Sequence, residues 1–423
     1  MDYSFYFDES SHNFRITDKT IFGNEDYSDS YVGIFLGIPK ESIVLQGPYG
    51  VIELCNKSEF MTKGELKGTK IKNIKSNTPI KYFSGKETFK NGVASFDESV
   101  TKFYSDFFSL FTDEVVIHIC IISKFEQNLI SLIDVSKLKK NIEIIYGGNL
   151  KESESIKLVE AFLYSFTKFF YTYRKLDIFE KIYSNDVSKL EKVGILNKLF
   201  DRVLETSVGV KRKEKEIEVI PRLKLMLNND IIRDRMDNKF NHEKVLNGFK
   251  NFLKEKKISP KEIDMYPDND SGIDFQTVSF KYFREVNSKD TIEVRIADVF
   301  SSFVNRFIFA IKSTTEEKWG TKEALENFHE LKILPSEWFE LNEDQFSIYS
   351  KISMILIKRK NLTFFANFGL YLDDGIWFFS VMMYFNSYNN YEEYLNFSSN
   401  EHKKKYHKFI MNYLNKGYKK RDW

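Results

Sequence analysis

The distribution of apolar and polar positions first predicts strands near the amino terminus. An almost wholly apolar run, residues 3–7, ends at the adjacent acids Asp8 and Glu9. This pattern is typical of a buried strand that reaches the edge of a sheet. Residues 12–16 and 31–38 have the same composition and are separated by polar turn residues, so we predict that three strands form a meander.

Further along, apolar residues recur at spacings of three and four, which predicts amphipathic helices, and shorter apolar runs predict strands. The expected helices are 95–111 with Ser95 as N-cap, 155–173, 187–206, 241–256, 291–311, 321–332, 343–359 and 393–413. The expected later strands are 115–122, 262–266 and 275–286.

This order of elements predicts an α/β protein with an RNase H-like mixed sheet, interrupted by a helical insert and followed by helices. We expect the core to comprise residues 1–124 and 258–315, with the helical insert at 125–257 and a helix-rich C-terminal domain at 316–423.

The charge balance, the cysteines and the apolar runs indicate which partners and which cellular compartment to expect. The 423 residues carry 63 basic and 61 acidic side chains, so any basic surface must be local. Cys55 and Cys120 form neither a disulfide framework nor a zinc motif. We see no signal peptide, and the apolar run 376–385 is shorter than the roughly 20 residues of a membrane span. We therefore expect a soluble cytoplasmic protein that does not contact the membrane.

Three acids are our candidates for catalysis and metal binding. Asp8 would be held rigidly at a strand end, although an Asp-Glu pair also opens ordinary turns. Asp298 lies within the apolar stripe of a helix, where a carboxylate is costly unless it is paired or metal-bound. Glu65 stands between two glycines after the strand 31–38, and an exposed loop acid is the alternative there.

Further acids and lysines are second-tier candidates. Glu9 is a weaker metal ligand than Asp8, because neighbouring strand residues point to opposite faces. One acid from the turn after residues 262–266 is expected to complete the metal site, and we choose Asp268, although the same sequence is typical of a turn. Lys67 and Lys289 are candidates for binding the substrate phosphate, with a solvated lysine as the alternative for each.

Four short segments resemble a large bacterial family of uncharacterised RNase H-like proteins that open with an Asp-Glu-Ser-Gly strand. They are Phe7-Asp8-Glu9-Ser10, Glu65-Leu66-Lys67-Gly68, Val286-Asn287-Ser288-Lys289 and Arg295-Ile296-Ala297-Asp298-Val299. The chain departs from the family at Ser11, where Gly is usual, and at 299–302, where small residues are usual. The resemblance covers about residues 3–38, 59–123 and 258–312.

The resemblance implies a metal-dependent nuclease, of a kind suspected in defence against mobile elements. Two-metal phosphodiester hydrolysis uses carboxylates to hold Mg²⁺ or Mn²⁺ ions about 4 Å apart. Asp8 would bridge the two ions. DNA and RNA both remain open as substrates, and a protein partner or homo-oligomer is also open. The competing hypothesis is a non-catalytic RNase H-like scaffold that binds nucleic acid or a partner protein.

Overall fold

The structure is a computed structural model. It describes residues 2–10, 29–40, 59–62, 64–73, 87–148, 150–172, 176–209, 214–234, 240–315, 334–358, 363–367 and 374–418. The expected strand at 12–16, the expected helix at 321–332 and Cys55 lie outside these residues. Among the described helices, none combines the length and the apolar character needed to cross a bilayer.

The described strands form one six-stranded mixed sheet and one small hairpin. In chain order they are β1 (Tyr3–Ser10), β2 (Ser30–Pro39), β3 (Met61–Thr62), β4 (Glu65–Leu66), β5 (Val116–Ser123), β6 (Asp264–Pro267), β7 (Tyr282–Phe283) and β8 (Thr363–Asn367). The large sheet has the order β7-β6-β1-β2-β5-β8, and β3 pairs with β4.

The described helices follow the same numbering along the chain. They are α1 (Glu98–Ser109), α2 (Lys124–Ser131), α3 (Val135–Ile145), α4 (Glu152–Thr172), α5 (Leu176–Tyr183), α6 (Lys189–Ser207), α7 (Glu214–Met226), α8 (Glu243–Lys256), α9 (Ile292–Thr315), α10 (Glu343–Ser353), α11 (Asp374–Phe385), α12 (Tyr391–Leu395) and α13 (Ser399–Tyr418). The chain is thus mixed α/β with a helix-rich C-terminal region.

Strand β1 lies inside the sheet and separates two kinds of pairing. On one side β2 is antiparallel to β1, and β5 is antiparallel to β2. On the other side β6 is parallel to β1, and β7 is parallel to β6. Strand β8 pairs with the outer side of β5 and is parallel to it. The carboxyl ends of β1, β6 and β7 therefore point to the same edge.

Both faces of the sheet are covered by apolar side chains. Helices α1, α9, α10, α11 and α13 share one apolar core on one face, so the C-terminal helices continue the core of the sheet. Helix α8 covers the other face, where Phe249 stacks on Phe35 with ring centroids 4.1 Å apart. Helices α2 to α7 enclose an apolar core of their own. The last helix of the expected insert thus packs on the sheet.

Several local predictions were wrong. The strand at 31–38 is not the last strand of a three-stranded meander, because β2 pairs directly with β1. The helix expected at 393–413 is divided into α12 and α13.

The start of the helix expected at 95–111 and the strand expected at 275–286 also differ. Helix α1 begins at Glu98 with Asp97 as its N-cap, because the Asp97 carboxylate accepts from the Val100 backbone NH at 2.9 Å. Ser95 lies in a short 3-10 turn and accepts from Asn91 instead. Residues 275–286 do not form one strand: a 3-10 helix capped by Asp274 comes first, and only Tyr282–Phe283 pair as β7.

Candidate active site

Asp8 and Asp268 lie side by side at the carboxyl ends of two parallel strands. The register pairs Phe7 of β1 with Pro267 of β6. The backbone NH of Asp268 continues this ladder by donating to the Phe7 carbonyl oxygen at 2.9 Å. Asp8 is the next residue of β1 and Asp268 directly follows β6, so the two carboxylates share one edge of the sheet.

The side chain of Asp8 is buried next to other carboxylates. Only 8% of the residue is exposed, and the Glu9 backbone NH donates to its Oδ1 at 2.7 Å. Burial, reinforced by the negative charges of Asp298 and Asp268, raises the pKa of Asp8 well above its ordinary value. The carboxylate is thus placed where a proton or a cation would stabilise it.

Helix α9 presents Asp298 toward Asp8. The Gly68 backbone NH donates to Asp298 Oδ2 at 2.8 Å, and the Ser302 hydroxyl donates to Oδ1 at 3.3 Å. Burial raises the pKa of Asp298, although these hydrogen bonds and the charge of Lys67 act in the opposite direction. Helix α9 and the segment after β4 therefore fix the orientation of this carboxylate together.

Glu65 reaches the same region from the small hairpin. It is 6% exposed, and its Oε1 accepts from the Ser288 hydroxyl at 3.0 Å. The backbone NH of Ser288 donates to Asp268 Oδ1 at 3.3 Å, so Ser288 connects the two acids. Burial is also the main cause that raises the pKa of Asp268. Gly64, in the left-handed region with φ of 78°, forms the turn that precedes Glu65.

The two candidate lysines occupy different positions. Lys67 is exposed, its Nζ lies 3.5 Å from Glu65 Oε1, and its charge acts on both Asp268 and Asp298. Lys289 is exposed after the Ser288 turn, and its backbone carbonyl accepts a hydrogen bond from Arg295. Lys67 is therefore next to the carboxylates, whereas the described contacts of Lys289 are those of its backbone.

Glu9 is not brought together with the other acids. It follows Asp8 on the strand and points to the opposite face, where the Tyr31 hydroxyl donates to its Oε2 at 3.1 Å. Asp264 begins β6, far from the carboxyl end, and pairs with Lys40 at 2.6 Å. Asp270 is exposed in the turn that follows Asp268. Of the three turn acids, Asp268 is the one beside Asp8.

Sequence reasoning missed a buried arginine that supports the site. Arg306 donates at 2.7 Å to each of three acceptors, the carbonyl oxygens of Gly68 and Ile71 and the Tyr104 hydroxyl. Its guanidinium also lies over the Phe89 ring, 4.6 Å from the centroid. The available signal was an arginine within the apolar stripe of α9, where a lone charge requires several partners.

The donor set suits a hard divalent cation, but the side chains do not form a complete site. Asp8, Asp268, Asp298 and Glu65 supply carboxylate oxygens, which Mg²⁺ and Mn²⁺ prefer. Among the residues that the structure describes, no three His, Cys, Asp or Glu side chains already form a group that could hold a metal ion. Burial is the main cause that raises the pKa of Asp8, Asp268 and Asp298, and the negative charges of Asp298 and Asp268 add to the rise at Asp8.

Comparison with known proteins adds no relative to this picture. No protein-family model, curated protein or solved structure matches the chain.

Proposed function

We propose that this chain is a Mg²⁺- or Mn²⁺-dependent nuclease with an RNase H-like core. The observation that carries the proposal is the meeting of Asp8, Asp268 and Asp298 at one edge of the sheet. The strand order supports it by analogy of fold. An RNase H-like sheet has its first strand inside, between an antiparallel and a parallel strand, and β1 here lies between antiparallel β2 and parallel β6.

Four carboxylates would hold the metal ions in this proposal. Asp8 and Asp268 would hold the ions from the edge of the sheet, Asp298 would hold them from α9, and Glu65 would contribute from the hairpin. The bound cations would lower the pKa of the attacking water and stabilise the leaving oxygen. Lys67, exposed beside these acids and 3.5 Å from Glu65, would contact the scissile phosphate.

Metal-dependent cleavage of labelled DNA and RNA, single- and double-stranded, tests the proposal directly. Purified protein is incubated with Mg²⁺, with Mn²⁺ or with a chelator, and Asp8→Asn and Asp298→Asn are compared with the wild type. We expect cleavage only with metal. Either variant should cleave at least about 100-fold more slowly, because losing a residue that merely supports a metal ligand already costs about 10- to 100-fold in activity. Asp186→Asn, an exposed acid of the helical insert, is the matched control.

The competing function is a scaffold that binds nucleic acid or a partner protein without cleaving it. The observation that favours it is the lack of a preformed metal-holding group among the described residues. Full-rate cleavage by Asp8→Asn would reject the proposed site. Intact substrates under every metal, combined with nucleic-acid binding, would favour the scaffold.

A further inference from the structure

Three tyrosines form a ladder across three parallel strands. The rings of Tyr6 on β1 and Tyr266 on β6 are stacked, with centroids 5.2 Å apart and planes 17° apart. Tyr282 on β7 continues the series, with its centroid 5.8 Å from that of Tyr266 and its plane tilted by 46°. The strand register explains the alignment, because Tyr6 pairs with Tyr266 directly.

The ladder shares the face of the sheet that carries Asp8. Tyr6 and Asp8 are two residues apart on β1, and alternate strand residues point to the same face. Their backbone positions are about 7 Å apart at the usual strand rise. Phe7 and Glu9, between and after them, belong to the opposite face. The inner end of the aromatic series, at Tyr6, therefore lies beside the carboxylates of the proposed active site.

The outer end of the ladder is open to solvent. Tyr282 is 46% exposed and belongs to β7, the last strand in the order of the sheet. Arg284 is exposed two residues later, and its charge acts on Tyr266, lowering the pKa that burial raises. Asp264, which pairs with Tyr282 in the strand register, forms an ion pair with Lys40, so its negative charge is compensated.

The chain runs from this exposed end toward the carboxylates. Tyr282 pairs with Asp264, four residues before Asp268, which corresponds to about 13 Å along the strands. Beyond Arg284, Val286 bridges to Asp268 and Ser288 binds both Asp268 and Glu65. A nucleic-acid strand following this edge would pass from an aromatic ring and an arginine to the site of cleavage.

Cross-strand packing accounts for only part of the ladder. A stacked pair such as Tyr6 and Tyr266 stabilises a sheet by itself. It does not explain a third, half-exposed ring at the edge beside an unburied arginine. Aromatic rings that stack on bases, together with arginines that bind phosphates, are the combination by which proteins hold single strands. A duplex keeps its bases stacked on one another and does not offer a base to such a ring.

We propose that Tyr282 is the stacking platform for an unpaired base of a single-stranded nucleic acid, with Arg284 on the adjoining phosphate. This inference rests on the proposed function, since it takes the carboxylate edge as the place where that strand is cut. The substrate class is then single-stranded DNA or RNA, or a single-stranded tail.

Binding and cleavage are measured separately to test the platform. Binding of labelled single-stranded DNA and RNA, and of their duplexes, is measured with full-length Asp8→Asn protein, which should not cut the probe. In that background Tyr282→Ala should weaken single-strand binding about 5- to 150-fold, the range expected for one base–aromatic stack. Tyr282→Trp should restore it. Tyr146→Ala removes a tyrosine of similar exposure, at 40%, and should have no effect.

The cleaving protein provides the second readout. Tyr282→Ala on the wild-type background should raise KM for a single strand and leave kcat nearly unchanged, because the ring lies away from the carboxylates. Cleavage with unaltered KM, or equal binding of single strands by Tyr282→Ala and the parent, would overturn the platform while leaving the nuclease intact. Tyr282-dependent binding without any metal-dependent cleavage would support the platform and reject the nuclease.

Discussion

Asp268 lies beside Asp8 because its backbone NH extends the parallel ladder to the Phe7 carbonyl oxygen, at 2.9 Å. Buried Asp8 and half-buried Asp268, from segments some 260 positions apart in the sequence, thereby share one edge of the sheet, where the charge of Asp298 also acts on Asp8. Burial, together with the neighbouring negative charges, destabilises the ionised form of Asp8 in the folded protein. The edge of the sheet thus maintains an electrostatic cost that a bound cation would relieve.

The first prediction concerns the stability of the metal-free protein. The pKa of Asp8 is raised in the folded state above 3.8, so the native state binds its proton more tightly than the unfolded state does. The contribution of Asp8 to the unfolding free energy is therefore largest below pH 3.8 and is lost as the pH rises through its folded-state pKa. Asp8→Asn removes this loss, and the variant should become more stable than the wild type as the solution approaches neutrality.

Thermal unfolding in a chelator, at a series of pH values, measures the difference between the two proteins. Adding Mn²⁺ at neutral pH should raise the Tm of the wild type and have little effect on the Tm of Asp8→Asn. If Asp8→Asn were the less stable protein at neutral pH without metal, the unfavourable charge assigned to this edge would be absent.

The second prediction separates Asp8 from its neighbour. Glu9 points to the opposite face and accepts a hydrogen bond from Tyr31. Glu9→Gln should therefore cleave within about 3-fold of the wild-type rate, whereas loss of a metal ligand should slow cleavage roughly 100-fold or more. Cleavage rates over a range of Mn²⁺ concentrations are the measurement. A strongly raised metal requirement in Glu9→Gln would return Glu9 to the set of ligands.

The third prediction concerns the close contact between Gly68 and helix α9. A Cβ atom at Gly68 would lie 2.4 Å from Ser302 Cβ and 2.9 Å from the Asp298 carbonyl oxygen. Gly68→Ala should therefore displace the segment that donates to Asp298, cost about 1–3 kcal/mol of unfolding free energy as overpacking does, and lower cleavage.

Denaturant unfolding compares Gly68→Ala with a control glycine. Gly194 lies in helix α6 with nothing within 4 Å of an added Cβ, so Gly194→Ala should stabilise the protein by about 0.5–1 kcal/mol. Equal effects of the two substitutions would show that the packing of Gly68 on α9 does not matter.

Two acids of the proposed site could be chosen from the local sequence pattern. Asp8 ends an apolar strand, and Asp298 interrupts an apolar stripe, so both could be chosen from pattern alone. Asp268 was chosen over Asp264 and Asp270, but the pattern gave no physical reason for that choice, because it depends on which residue follows the last ladder pair with β1. The strand register, which comes from tertiary pairing, made that selection.

The hydrophobic pattern could not predict contacts between segments that are distant in the sequence. The hydrogen bond from Gly68 to Asp298 joins residues separated by 230 positions, and the donors of Arg306 reach equally far. Periodicity reports which face of a helix is apolar, but it does not report which loop covers that face. Periodicity also could not show what the C-terminal helices pack against. The sequence predicted a separate domain for them, although they pack in the same apolar core as α9.

The last prediction concerns a second charged cluster, which joins α9 to the C-terminal helices. Lys312 Nζ lies 3.2 Å from Asp29 Oδ2 and 2.9 Å from Asp374 Oδ2. Asp374 also accepts from Ser30, and Asp29 accepts from Ser123 at 2.6 Å. Burial raises the pKa of Asp374, against the positive charge of Lys312. Lys312 therefore compensates two acids that are largely shielded from water.

Lys312→Met would leave both carboxylates without this cation. Removing one member of a buried ion pair costs about 3–5 kcal/mol, and we expect a loss of that size in denaturant unfolding at neutral pH. Lys139→Met is the matched control, because its ion pair with Glu152 at 3.2 Å is exposed and should contribute less than about 1 kcal/mol. A similar small loss in both variants would mean that water reaches the Lys312 cluster and screens its charges.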